Sequence, residues 1–309
     1  MLSGSVAIDR IMVFDGLFEN LIKPEKLHVL SISQLVEELR LTRGGVAANI
    51  AYSLALLGEK PILLAAAGRD ARGYINSLAR QGVDTSLVHF SRKLTASFSV
   101  LTDKNDCQVG GFYPGAMSDA DSLTVNKFKD EEILMVISAH DPSAMIRQVK
   151  ECRQLQKRLF FDIGQQSLIM TGSDLRAGIE AAELLIVNDY EMGLLVEKTG
   201  WSEAQIAGKL KTCVVTLGEQ GSRFKTGRGW QTVPAVQLKK VVDPTGAGDA
   251  FRAGFLYGYV RTWPLEKCLQ LASVVASFAV EKLGTQEHRF NSQQLANRYQ
   301  HTYRQKLTW

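Results

Sequence analysis

What most constrains this chain is the regular alternation, from about residue 60 to residue 285, of short apolar runs with amphipathic or apolar helical segments. Pro61–Ala66, Ile133–Ser138, Arg158–Asp162, Leu184–Asn188 and Thr212–Leu217 are each strand-length. A strand buried on both faces reads as one continuous apolar run, and its repetition between helices builds βαβ units around a parallel sheet. The expected fold is α/β: a doubly wound, mostly parallel sheet with helices on both faces. A chain of 309 residues can bury about three-quarters of its unfolded surface in one core. No Gly/Ser-rich or Pro-rich linker divides it, so a single domain over residues 1–309 is expected.

Two regions break the alternation. Val6–Arg40 begins like a strand and then loses periodicity, while Ser97–Tyr113 reads as two short strands around the polar turn Asp103-Lys104-Asn105-Asp106. Together they predict a small β-rich lid, made of segments about 9–40 and 88–118 and inserted on the main domain.

Charge and composition remove several classes. The 36 Lys+Arg and 32 Asp+Glu leave a formal +4 with no block of five like charges, so nucleic acid is not an expected partner. The basic C-terminal stretch, Arg289, Arg298, Arg304 and Lys306, reads as a solvated helix face. Cys107, Cys152, Cys213 and Cys268 form no Cys-x-x-Cys pair, which fits a reducing cytoplasm. Apolar stretches such as Leu271–Val280 fall short of the roughly 18 residues that span a bilayer, so a soluble protein without a membrane partner is expected. No Gly-x-x-x-x-Gly-Lys-Ser/Thr loop, strand-borne Gly-x-Gly-x-x-Gly or Gly-x-Ser-x-Gly elbow occurs, and His28, His89, His140, His288 and His301 lack metal-ligand spacing.

Four constellations remain. Arg43-Gly44-Gly45 opens an apolar helical run that ends at Gly58. Paired glycines let a ligand approach bare backbone N–H groups, with the Asn49 amide one turn in; a simple Gly-Gly turn followed by a polar helix residue accounts for the same letters. Asp243-Pro244-Thr245-Gly246-Ala247-Gly248-Asp249 reads as a tight turn entering a long helix. Its uncapped N–H groups and helix dipole would form an anion hole at Gly246, Ala247 and Gly248. Asp249 is then either a helix-start acid or the base that takes a proton from a substrate hydroxyl. Asn188 and Glu191, one turn apart after a strand, are either an Asn cap with an acidic first turn or the residues that order a hydrated Mg²⁺. Thr216-Leu217-Gly218-x-x-Gly221 ends a strand in a glycine-spaced turn suited to a hairpin or a nucleotide-edge loop.

Taken together, Gly44-Gly45-x-x-x-Asn49 and Asp243-Pro-Thr-Gly-Ala-Gly-Asp249 resemble the signatures of the ribokinase-like (PfkB) carbohydrate and nucleoside kinases, with Asn188-x-x-Glu191 and Thr216-Leu-Gly218-x-x-Gly221 in the family's order. The resemblance extends from Ser5 to about Gln286. Gly4–Met12, Ala47–Tyr52, Phe112–Met117 and Asp249–Gly254 are similar to stretches of bacterial adenosine kinases. Two departures touch pocket walls: Val46-Ala47-Ala48 stands for a small trio such as Cys-Ala-Gly, and Pro244 for the commoner Thr.

The resemblance implies ATP and Mg²⁺ as cofactors, with a K⁺-like cation near Asp243, Thr245 and the Gly284 loop. Asp9 would hold ribose hydroxyls with Gly44, Gly45 and Asn49, and Phe112 or Tyr113 would lie near the base. Asn188, Thr216, Gly218, Gly221, Thr245 and Arg252 would serve the nucleotide, and Glu191 and Asp243 the metals. The expected activity is ATP-dependent phosphorylation of a nucleoside 5′-hydroxyl, adenosine foremost, by a monomer or homodimer. The alternatives are a furanose kinase of the same family and a non-catalytic nucleoside binder.

Overall fold

The chain is described by a computed structural model in which every residue is placed except 30, 106 and 228, together with the side chain of residue 26. Among the described residues, thirteen strands form two sheets. The large sheet draws on β1 (Leu2–Ser3), β4 (Leu63–Gly68), β5 (Val88–Ser91), β8 (Leu134–Ile137), β9 (Arg158–Phe161), β10 (Leu184–Asn188), β11 (Thr212–Thr216), β12 (Ser222–Thr226) and β13 (Gly229–Val233). Its order is β13-β12-β11-β10-β9-β8-β1-β4-β5, parallel except at the β11-β12-β13 edge. This is the doubly wound α/β architecture expected. The chain runs outward from β1 in one direction and from β8 in the other, so the sheet order reverses between these two strands. Ligands of such sheets bind beyond the carboxyl ends of the strands at that reversal.

Alternation along the strands explains why both faces are covered. Leu63, Ala65 and Ala67 point into one core with Tyr52, Tyr74, Phe251 and Phe255. Leu64, Ala66, Met135 and Ile137 point into the other with Met145, Leu175 and Leu195. The first core lies under α2 (Val46–Leu56), α3 (Arg72–Arg80), α8 (Ala247–Tyr259) and α9 (Leu265–Ala279). The second lies under α4 (Pro142–Gln154), α5 (Gly172–Ala181), α6 (Asp189–Thr199) and α7 (Glu203–Gly208). A short α1 (Phe18–Leu21) follows the first lid strand, and α10 (Ser292–Tyr303) packs on α9. Close approach of α8 to α9 depends on Gly254, where a Cβ would sit 2.7 Å from Ala272 Cα.

The second sheet is the lid, of order β3-β2-β6-β7, built from β2 (Ala7–Val13), β3 (Glu38–Gly44), β6 (Ala96–Thr102) and β7 (Gln108–Tyr113). Its outer pairs are antiparallel and its central β2–β6 pair is parallel. Val88–Ser91, expected in the lid, instead pairs in parallel with β4 at the edge of the large sheet. Between β6 and β7, Asp103 Oδ1 accepts from the N–H groups of Asn105 and Cys107, each at 2.9 Å, as a polar turn should. Asp106, the fourth residue of that expected turn, lies outside the described residues.

Candidate active site

The site begins with the turn that starts α8. Asp243 Oδ1 accepts from the Thr245 N–H at 2.9 Å and its Oδ2 from the Gly284 N–H at 2.8 Å. Burial opposes ionisation of Asp243, yet these hydrogen bonds prevail and hold its carboxyl below the usual range. Gly246 then takes the left-handed conformation, φ 79°, and caps α8 without a side chain. A Cβ there would also meet Thr285 Cβ at 2.9 Å, so only glycine fits. The Ala247 N–H, expected in the anion hole, bonds instead to Pro244 O at 3.1 Å. The N–H groups of Gly246, Gly248 and Asp249 have no hydrogen-bond partner among the described residues. An uncapped helix start of this kind attracts a phosphoryl group.

Asp249 lies in that first turn, and Asn49 reaches it from α2: Asn49 Nδ2 donates to Asp249 Oδ2 at 2.8 Å. Two motifs 200 residues apart thus meet in one contact. Asn49 is itself braced, because its Oδ1 accepts from Gln286 Nε2 at 2.8 Å and lies 2.9 Å from Thr285 Oγ1. It is 4% exposed, so its amide is held against Asp249 by neighbours on both sides. Burial raises the Asp249 carboxyl to about 6, against the lowering influence of Arg252 and Asn49. A carboxyl poised there can accept a proton near neutral pH.

The paired glycines also serve close packing. Gly45, with φ 97°, caps α2, and a Cβ there would fall 2.5 Å from Ser5 O. The first turn of α2 docks on that same residue: Val46 N–H donates to Ser5 Oγ at 3.0 Å and Ala48 N–H to Ser5 O at 3.4 Å. Gly44 makes room for an acid instead, since a Cβ on it would meet Asp9 Oδ2 at 2.7 Å. Burial alone raises the half-buried Asp9 carboxyl to about 6, and no hydrogen bond or ion pair offsets it among the described residues. Tyr74 links the two glycine-bearing turns: it donates to Gly44 O at 2.9 Å and receives Gln286 Nε2, the group that also holds Asn49. Phe112 stands on β7 opposite Phe98, 52% exposed at the lid edge.

On the other side of the α8 turn opens a cavity of about 560 Å³. Asn188, Thr216, Gly218, Gly221, Pro244, Ala247 and Gly248 line it, and Val236, Val241, Ala276 and Val280 supply an apolar wall. Thr245 is exposed on the turn beside it. Asn188 and Glu191 form a reciprocal capping box at the start of α6: Asn188 Oδ1 accepts from Glu191 N–H at 2.7 Å and Glu191 Oε2 from Asn188 N–H at 2.9 Å. The cap reading is therefore realised, with Glu191 Oε1 left over. Arg252 does not line the cavity; it is buried beneath the turn and ion-paired with Asp162, Nε to Oδ1 at 2.6 Å. No cluster of three or more His, Cys, Asp or Glu suited to a metal occurs among the described residues.

A profile of the pfkB family carbohydrate kinases matches residues 8–291. The chain belongs to this family. It is accordingly an ATP-dependent phosphotransferase. A nucleoside kinase of Methanocaldococcus jannaschii is 30% identical over 265 residues, 85% of this chain and 87% of that protein. Among solved structures, the Burkholderia thailandensis nucleoside kinase in complex with inosine superposes with a TM-score of 0.88 at 31% identity, covering 99% of both chains. The same protein in complex with ADP-inosine gives 0.84 at 32% identity, over 99% of this chain and 96% of that one.

Sequence reasoning missed Ser5, Tyr74, Asp162, Thr285 and Gln286 as parts of this kinase's site. Thr285 and Gln286 had one signal, their place just after Gly284, which the resemblance already put beside the anion turn. Asp162 ended a run read as a strand, and Tyr74 lay in an ordinary amphipathic helix, so neither stood out.

Proposed function

We propose that this kinase transfers the γ-phosphoryl group of ATP to the 5′-hydroxyl of a nucleoside, with adenosine as the leading acceptor. The Asn49–Asp249 contact carries the reading, because it fixes a carboxylate beside the unpartnered N–H groups of the α8 turn. Asp249 takes the 5′-hydroxyl proton as that oxygen forms its bond to the γ-phosphorus. The bond from γ-phosphorus to the β,γ-bridging oxygen breaks, and ADP leaves with the electron pair. The N–H groups of Gly248 and Asp249 stabilise the charge in transit.

Asp9, unpaired and beside Gly44, accepts ribose hydroxyls, and Phe112 at the lid edge covers the base. Relatives named nucleoside kinases, one of them bound to inosine, support a nucleoside over a free sugar. The cavity lined by Thr216, Gly218 and Gly221 is the place for ATP. A hydrated Mg²⁺ needs few protein ligands, and Asn188 with the free Glu191 oxygen fits that need; when bound it would neutralise charge on the phosphates. A monovalent cation at the Asp243 and Gly284 loops would rely on carbonyl oxygens, because both Asp243 carboxylate oxygens are already engaged.

Coupled ADP release with ATP and Mg²⁺ against adenosine, inosine, guanosine, ribose and fructose tests the assignment, with Asp249→Asn as control. Turnover led by adenosine upholds it. Turnover of free sugars alone replaces the acceptor, and binding of nucleosides without ADP release rejects the kinase reaction.

A further inference from the structure

Beneath the α8 turn lies an acid that the proposed reaction does not use. Asp162 follows β9 and is 0% exposed; its Oδ1 receives Arg252 Nε, while its Oδ2 has no hydrogen-bond partner among the described residues. Arg252 stands three residues after Asp249 on the same helix, one turn further in. Its Nη2 lies 3.5 Å from Ile186 O, and its Nη1 would be 2.8 Å from a Cβ on Gly248. The guanidinium therefore packs directly against the residue whose N–H faces the phosphate side of the turn.

The charged groups facing this spot come from several elements. Arg252 lies on α8 itself, Glu191 comes from α6 and Asp162 from the end of β9. The Asn49 amide faces Asp249 from α2, and the Tyr74 phenol from α3 feels both Asp249 and Asp9. Three carboxylates thus share one guanidinium. Without Asp162, that guanidinium, one turn from Asp249, would form the paired bonds to it that Arg and carboxylates favour, and a base in such a pair loses its proton affinity. Asp162 takes the Nε instead and holds the cation one turn below.

We infer that Arg252, held in place by Asp162, is the charge-balancing and positioning residue of the Asp249 site, a role that rests on the proposed reaction. Its charge supports the Asp249 carboxylate from a distance and adds to the field of the α8 turn, while the base stays free to receive a proton. A side chain at Gly248 would displace the Arg252 guanidinium from this position.

The test is a pH titration of the Asp249 carboxyl carbon by ¹³C NMR in the full-length, ligand-free protein, assigned with Asp249→Asn, alongside kcat–pH profiles. Arg252→Gln removes the cation, so the Asp249 midpoint and the acid limb of kcat should both rise by about one pH unit. Asp162→Asn keeps an acceptor for Nε but removes an anion, so both should fall. Arg252→Lys keeps the charge and should leave the midpoint within about 0.3 units of wild type, even where turnover drops. Opposite displacements from the two sides of one pair uphold the inference. Unmoved midpoints in both, or displacements in one direction, overturn it, as does Asp162→Asn alone failing to move the midpoint should Arg252→Gln not fold. A wild-type protein that turns over no nucleoside rejects the reaction, while the NMR midpoints still decide the charge balance.

Discussion

Replacing Asp249 by Asn should move catalysis and stability in opposite directions. Burial lifts this carboxyl from an ordinary 3.8 to about 6. Between those values the native state binds more protons than the unfolded chain, so stability falls as pH climbs through the window. At about 1.4 kcal/mol per unit, the penalty reaches roughly 3 kcal/mol above pH 6 and vanishes below about pH 4. Asn has the same shape, keeps an acceptor for Asn49 Nδ2 and carries no charge to desolvate. The variant should therefore be more stable than wild type at pH 7.5 by up to about 3 kcal/mol, with the advantage fading on acidification. Its kcat should drop by about 10²–10⁴ while ATP still binds. Urea denaturation followed by fluorescence at several pH values, paired with coupled ADP release, reads both quantities. Equal stability at pH 7.5, an advantage that grows toward pH 4, or near-wild-type kcat would each refute the reasoning.

Asn49→Ala removes a hydrogen bond that lowers the Asp249 pKa, so the acid limb of the kcat–pH profile should move upward and kcat should fall at least about tenfold; an unmoved limb contradicts the clamp. Asp9→Ala should raise the nucleoside KM strongly with the ATP KM little changed, as initial-rate kinetics would reveal, and should also stabilise the free protein above pH 6 because an unpaired buried acid is removed. Gly246→Ala forces a Cβ into left-handed backbone and against Thr285; a loss of about 1–3 kcal/mol in urea denaturation is expected, and no loss would mean that the turn relaxes.

The sheet was legible because its strands are long enough to carry a pattern: Leu184–Asn188 appears with the bounds its apolar run gives. The two-residue β1 was not, since Leu2 and Ser3 owe their strand conformation to pairing with β4 on one side and β8 on the other. Val88–Ser91 was assigned to the wrong sheet for the same reason, as four residues suit either partner until β4 claims them. At the site, glycines and single acids were visible by spacing, whereas roles that need a distant partner were not. The ion pair of Arg252, expected to serve the nucleotide, was not legible because nothing near it in sequence declares Asp162, 90 residues away. The bracing of Asn49 by Gln286 and of the α2 start by Ser5 was equally hidden, because both partners lie far off along the chain.

The bracing of Asn49 by Thr285 and Gln286 has a consequence for the growing polypeptide. Ser5, Asn49 and Tyr74 leave the ribosome early and Asp249 late, but the residues that lock Asn49 onto it emerge later still. A nascent chain lacking them has the glycine turn and the carboxylate without the frame that aims one at the other. Competence for transfer therefore waits for Thr285 and Gln286, as a property of the whole fold, and a product terminated before Thr285 would carry every signature motif yet lack the frame that aligns the base.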